Sequence, residues 1–194
     1  IGSGLEPKQY DFLAENFNLI GLTAGRGRDV SAELQTAAAA RALKKRNPEM
    51  KVLFYWANDK PKHQSKIANK AYPGAYLIHT KARKGKKDIV TKYFDVVRQE
   101  VQDWWSDAAA DAVHKYDCDG IFVDGAVAGH PKGSYAKAFG ADKAAVMNKA
   151  VFSMLADARR KMGPDTLILF NPLHDTDGKR APLGQEQLQV TDGA

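Results

Sequence analysis

The sequence predicts an α/β domain of the (β/α) TIM-type barrel class, with the visible chain a partial or truncated piece of that barrel. Three observations carry the prediction. Short, near-uniformly apolar runs alternate with longer segments of helical period, the pattern of parallel strands and their crossover helices. The apolar runs end repeatedly on polar or aromatic residues, as strands do where they build the mouth of a barrel. Four clear strands are fewer than the eight that close a barrel, and 194 residues fall short of the roughly 250 typical of one.

Taken in order, "FNLIGLT" (17–23) is the first strand, and "SAELQTAAAARALKKRNP" after it is a helix capped by Ser31, with cations in its last turn and a proline stop. "KVLFYWAND" (51–59) is β-branched and aromatic, too uniformly apolar for an amphipathic helix, and is the second strand. Residues 60–95 are less regular and predict a long loop with a short helix near 63–70 and an extended "AYLIHT". "VRQEVQDWWSDAAADAVHKY" sets Val97, Val101, Trp104, Trp105, Ala108, Ala112 and Val113 on one stripe, a helix packed on a sheet. "GIFVD" (120–124) is the third strand, residues 140–165 a long helix ended by Gly163 and Pro164, and "TLILFNP" (166–172) the fourth strand. Strands this apolar predict a sheet covered on both faces. A dinucleotide-binding sheet would need G-x-G-x-x-G after the first strand, and "AGRGRD" (24–29) lacks the third glycine.

Composition narrows the chemistry. With 44% hydrophobic and 27% charged residues the chain can bury a core as a single domain over 1–194. One cysteine, Cys118, rules out an internal disulfide framework and a cysteine-based zinc cluster. No apolar run approaches the roughly 20 residues of a bilayer span, so no membrane partner is expected. The chain starts at Ile1 with no signal-like stretch, so the native N-terminus is expected to be missing. The net charge of +6 is uneven: Lys60, Lys62, Lys66, Lys70, Lys81, Arg83, Lys84, Lys86 and Lys87 run without an acid until Asp88. Either this segment keeps the protein soluble or it meets an anionic polymer. Nucleic acid would call for stacking aromatics among those cations, and only Tyr72 and Tyr76 occur there, so no nucleic-acid partner is expected.

"NPEMKVLFYWAND", "YFDVVRQEVQDWW" and "YDCDGIFVDGA" together resemble segments of the hypothetical glycosyl hydrolase family 15 type, and more distantly the endo-α-1,4-polygalactosaminidase-like barrels. The resemblance covers most of residues 7–194. It implies a carbohydrate-active barrel, with Asp124 at the family's strand-end acidic position. The basic stretch 81–87 departs from that family pattern and leaves the identity of the sugar open.

Glycoside cleavage ordinarily uses two carboxylates, one protonated to assist the leaving oxygen and one ionised to attack the sugar or activate water. Asp124, ending an apolar strand, is the first candidate, with loop capping or a lysine pairing as its structural alternative. Asp119 precedes the strand and reads as structural. Asp59 and Asp175 are the candidates for the second acid within the sequence. "CDGIFVD" is echoed by the closing "LQVTDGA": if Asp192 matches Asp119, another strand begins there, and its strand-end acid would follow Ala194. The chain therefore reads as an internal piece of a larger catalytic domain, with the remainder of that domain as its partner. For sugar binding, Tyr55 and Trp56 point to opposite faces by the period of two, and Trp56, sharing a face with Asn58, is favoured at the mouth. Trp104 and Trp105 read as core. Asn171, His130, His174 and Lys84 complete the substrate-binding candidates. The histidines 79, 130 and 174 also permit an acid/base pair or a metal site with Asp124, but no His-x-His or His-Glu-x-x-His spacing supports a metal, and no phosphate loop is present. No cofactor is expected. The predicted substrate is an acidic or neutral polysaccharide or oligosaccharide, and the predicted location extracellular or periplasmic; a barrel that binds polysaccharide without cleaving it is the alternative.

Overall fold

A computed structural model of the chain describes residues 5–23, 31–61, 65–130, 133–171 and 187–193. The elements are α1 (Pro7–Asn16), β1 (Leu19–Leu22), α2 (Ala32–Arg46), β2 (Lys51–Ala57), α3 (Lys66–Lys70), β3 (Tyr76–Lys81), β4 (Ile89–Phe94), α4 (Gln99–His114), β5 (Gly120–Asp124), α5 (Ser134–Phe139), α6 (Ala141–Met162) and β6 (Leu167–Asn171). The caps follow the sequence: Ser31 Oγ accepts from Leu34 N at 3.3 Å, and Lys44, Lys45 and Arg46 lie in the last turn of α2, where cations meet the carbonyl end of the helix dipole.

β1, β2, β5 and β6 form one parallel sheet in that spatial order. Each new strand of the sheet is thus added beside the one before it. A doubly wound sheet reverses its order at a switch point, whereas a barrel keeps winding one way. Residue parity then sorts the side chains. Ile20, Leu22 and Val52 pack with Leu13, Ala40 and Leu43 of α1 and α2. Phe54, Trp56, Ile121, Val123, Ile168 and Phe170 pack with residues of α4 and α6 such as Trp105, Met147, Val151 and Leu155. Burying an aliphatic or aromatic side chain of this size stabilises by about 1.5–3 kcal/mol. The alternate residues face the other way, and there the expected two-sided burial is corrected. Leu19 is 43% exposed, and Phe122, Leu167 and Leu169 are only partly buried. These are the residues a barrel turns inward; the described strands do not close one.

The Asp-Gly echo read from the sequence has a common geometry. Asp119 donates its backbone N–H to Val52 O at 2.7 Å and accepts from Val52 N at 2.8 Å on its own carboxylate. Asp192 repeats this on β6, donating to Ile168 O at 2.9 Å and accepting from Ile168 N at 2.7 Å. Each aspartate is held by a cation from the last turns of a preceding helix, Lys44 on Asp119 and Arg159 on Asp192. Gly193 then forms an isolated parallel bridge with Leu169.

Residues 60–95, expected to be mostly loop, hold a β-hairpin. β3 and β4 pair antiparallel from Tyr76↔Phe94 to Lys81↔Ile89. Tyr72, Tyr76, Phe94 and Trp104 fix its base in one aromatic cluster, with ring centroids 4.6–6.1 Å apart. Its tip, residues 81–90, is exposed throughout. The sequence reading found the extended β3 but missed β4, whose partner lies across a lysine-rich turn that resembles solvated loop. Beyond the hairpin, α4 and α6 are clamped by Ser106, Asp107, Asp157 and Lys161: Lys161 Nζ lies 2.7 Å from Asp107 and 2.9 Å from Asp157, and Ser106 Oγ donates to Asp157 at 2.6 Å.

Candidate functional site

The C-terminal ends of β2, β5 and β6 meet in register, with Ala57 beside Asp124 and Asp124 beside Asn171. On the inner face Tyr55 stacks on Phe122, centroids 6.3 Å apart, and its hydroxyl donates a hydrogen bond to Asp124 Oδ2. Burial raises the pKa of the Tyr55 phenol, and the hydrogen bond and charge of Asp124 raise it further, with a smaller contribution from the charge of Asp59. Asp59 itself is 6% exposed and pairs with Lys60 at 3.0 Å, while Lys60 Nζ also sits 5.0 Å above the Tyr93 ring. Burial pulls the Lys60 ammonium down, but Asp59 beside it, with help from Tyr93 and Asp124, leaves its pKa raised. Tyr55 and Lys60 thus both feel Asp59 and Asp124, which places the two acids in one electrostatic neighbourhood on adjacent strand ends.

The backbone after β5 is shaped to allow this. Gly125 has φ +93°, and a Cβ there would lie 2.7 Å from Asn58 Oδ1 and 3.1 Å from Asp59 Oδ1. An apolar strand therefore stops on a carboxylate and turns at a glycine because the Asn58-Asp59 bend occupies the space a side chain would need. Tyr135 of α5, fully buried against Tyr93, donates to Asn58 O at 3.3 Å and closes the floor.

Several sequence expectations are revised here. Trp56 does not reach the mouth: it is 4% exposed on the helix-facing side, stacked on Trp105, with its Nε1 donating to Trp105 O at 3.1 Å. Tyr55, not Trp56, shares the face of Asp124. The parity argument that joined Trp56 to Asn58 fails because β2 ends at Ala57 and Asn58 lies in a bend. Asn58 is fully buried beneath the rim, and neither of its amide atoms has a hydrogen-bond partner among the described residues. Asn171 is exposed on the rim, and His130 is half-buried in the turn after β5. Lys84 is exposed at the hairpin tip, and the hairpin reaches the site through Phe94 N, which donates to Asp59 O at 3.0 Å. His79 packs edge-on against Phe139 and not beside Asp124. Asp175 and His174 lie outside the described residues. Trp104 and Trp105 are core, as expected. Lys60, Tyr93 and Tyr135 were not foreseen; Lys60 was counted only as one of a run of cations, and no local pattern marks a tyrosine whose side-chain partners lie 33 or more residues away. Among the described residues no group of three or more His, Cys, Asp or Glu could hold a metal ion, and no described helix is long and apolar enough to cross a membrane.

Chemically, the rim offers a half-buried carboxylate oriented by a phenol, a second carboxylate committed to an ammonium, and an exposed amide. The phenol fixes the orientation of that carboxylate, which suits a nucleophile or base. Asp59 spends an oxygen on Lys60.

A family model described as hypothetical glycosyl hydrolase family 15 matches residues 44–194. No curated protein matches. Among solved structures, the glycoside hydrolase domain of a PelA variant from Pseudomonas aeruginosa is similar in fold, with a TM-score of 0.56 at 15% identity, over 88% of this chain and 57% of that one. The α-amylase of Geobacillus thermoleovorans, complexed with acarbose, aligns at a TM-score of 0.49 and 12% identity, over 88% of this chain and 40% of that one. The chain thus spans less than two thirds of the length of either structure.

Proposed function

The chain belongs to hypothetical glycosyl hydrolase family 15, and from that premise we propose that it cleaves the O-glycosidic bonds of an acidic polysaccharide, with Asp124 as the ionised carboxylate of the reaction. The observation that supports this most is the Tyr55-Asp124 couple at the C-terminal rim of a one-way parallel sheet, where barrel enzymes carry their chemistry. The similar PelA domain is itself named as a glycoside hydrolase domain. In the proposed mechanism Asp124 attacks the anomeric carbon or takes the proton of the attacking water. Tyr55 holds the carboxylate, Asn171 and His130 line the sugar, and the hairpin cations around Lys84 meet the negative groups of the polymer. The proton donor is a second acid: Asp59 with Lys60 displaced, or Asp175. A polymer substrate would put this reaction outside the cytoplasm, in periplasm or medium.

The committed state of Asp59 favours a second reading, a barrel that holds the polymer without cleaving it. Asp124→Asn separates the two. With polygalacturonate, dextran sulfate and amylose as probes, release of reducing ends by the parent chain and its loss by about 10²–10⁴-fold in the variant, with retention on the immobilised polymer unchanged, is the expected result. Reducing ends released equally by both would sink the assignment of Asp124. Retention without cleavage by either chain would establish the binding reading.

A further inference from the structure

On the helix-covered side of the sheet a cleft of about 390 Å³ opens between α2, α3 and α4, away from the Tyr55-Asp124 rim. Its apolar lining includes Phe54, Ile67, Ala68, Pro73, Trp104 and Tyr116. Trp104 is held in place, its Nε1 donating to Ala68 O at 2.7 Å. Five acids line the same cleft, Glu33, Glu100, Asp103, Asp107 and Asp111, and among the described residues no lysine, arginine or histidine does.

Four of those acids already have partners from this chain. Glu100 pairs with Arg98, Asp107 with Lys161 and Asp111 with Lys115, and Asp103 accepts from Gln99. Glu33 is different. It is 3% exposed, its Oε1 accepts from Ala68 N at 3.1 Å, and its Oε2 is buried with no hydrogen-bond partner among the described residues. A buried carboxylate oxygen left without a donor costs free energy, and native proteins satisfy nearly all such atoms. The missing group is a donor, and the surrounding acids select one that carries positive charge. The apolar walls select one with a flat hydrocarbon body, and a cleft of this size lies within the range that takes small ligands.

We infer that this cleft is a binding site for a small organic cation, an amidinium, guanidinium or ammonium on an aromatic or aliphatic body, whose N–H groups complete the hydrogen bonding of Glu33. The apolar body lies among Phe54, Ile67 and Trp104, and the acids of α4 hold the charge by longer-range attraction. This site is independent of the hydrolytic reading, since none of its residues belongs to the rim.

Benzamidine is a suitable probe and benzyl alcohol its neutral counterpart, both titrated calorimetrically against the full chain. Benzamidine should bind saturably, at least tenfold more tightly than benzyl alcohol, and Glu33→Gln should remove that preference. No saturable benzamidine binding, equal binding of the two probes, or a cation preference that survives Glu33→Gln overturns the site. Should Glu33→Gln fail to unfold cooperatively, Ala108→Phe provides the second test by filling the cleft with Glu33 intact: loss of benzamidine binding is expected, and unchanged binding overturns the proposal.

Discussion

At the scale of single residues, the phenol of Tyr55 does work that a ring alone cannot. With its pKa raised by burial and then by Asp124, it stays protonated, and therefore donating, across the pH range in which hydrolases act. Tyr55→Phe keeps the stacking on Phe122 and removes only that donor. A hydrogen bond to a charged group is worth about 1.5–3 kcal/mol, so initial rates should fall roughly 10- to 150-fold while calorimetry finds the unfolding midpoint within a few degrees of the parent. A rate unchanged in Tyr55→Phe would make the couple a packing feature. The sequence put Asp124 at the close of an apolar strand, and β5 does end there. It favoured Trp56 over Tyr55 at the mouth, wrongly, because the period of two says only that they part; the sheet face each takes is set by Trp104 and Trp105, about 50 positions on. Asn58 was misjudged for the related reason that parity has no meaning beyond the last paired residue.

Elements bring charge into play where residues alone do not. The β3–β4 hairpin carries Lys81, Arg83, Lys84, Lys86 and Lys87 on an exposed tip whose one acid, Asp88, accepts from Arg83 N at 3.1 Å and so helps shape the turn. Because those side chains are exposed and the hairpin is anchored at its base, replacing Lys84, Lys86 and Lys87 together with Ser should leave the melting midpoint unchanged. It should also abolish retention on immobilised polygalacturonate in low salt. In the parent chain that retention should weaken steeply as ionic strength approaches 0.15 M, where the Debye length is about 8 Å. Retention equal in parent and variant would return the tip to a solubilising role. The α4–α6 clamp predicts a pH effect instead. Burial pushes the Asp157 carboxyl up, but hydrogen bonds from Ser106, Lys161 and Arg160 outweigh it and hold its pKa at about 2. A depressed folded-state pKa adds stability that is whole above about 3.8 and drains away as pH falls toward about 2. The gap in melting midpoint between the parent and Asp157→Asn should accordingly be widest near pH 5 and close by pH 2. A gap independent of pH would mean the clamp acts by packing. The helices on either side were legible from their stripes and caps, whereas the hairpin was not: a strand signal interrupted by five cations and one glycine has no local hydrophobic period to betray it.

For the whole molecule, the sheet sets a gradient of stability. Val52, Leu53, Ile121 and Val123 are at most 1% exposed, on the two central strands, each paired on both sides. Amide exchange should be slowest across β2 and β5 and fastest at the hairpin tip, with β1 between them; equal protection of tip and centre would contradict this packing. The fold class was readable because alternation of apolar runs and helical stripes is a property of the entire chain and survives local errors. What escaped was how the sheet's two faces differ, since the sequence shows that a strand is apolar on both sides but not what meets the inner one. The one-way strand order has a further consequence for biosynthesis. During translation β1 appears first, β2 docks on its edge, β5 on β2 and β6 on β5, each finding its neighbour already made. No strand has to wait for a later one to be inserted between it and its neighbour, so every docking step consolidates the last, and the ribosome delivers the strands in the order in which the sheet can accept them.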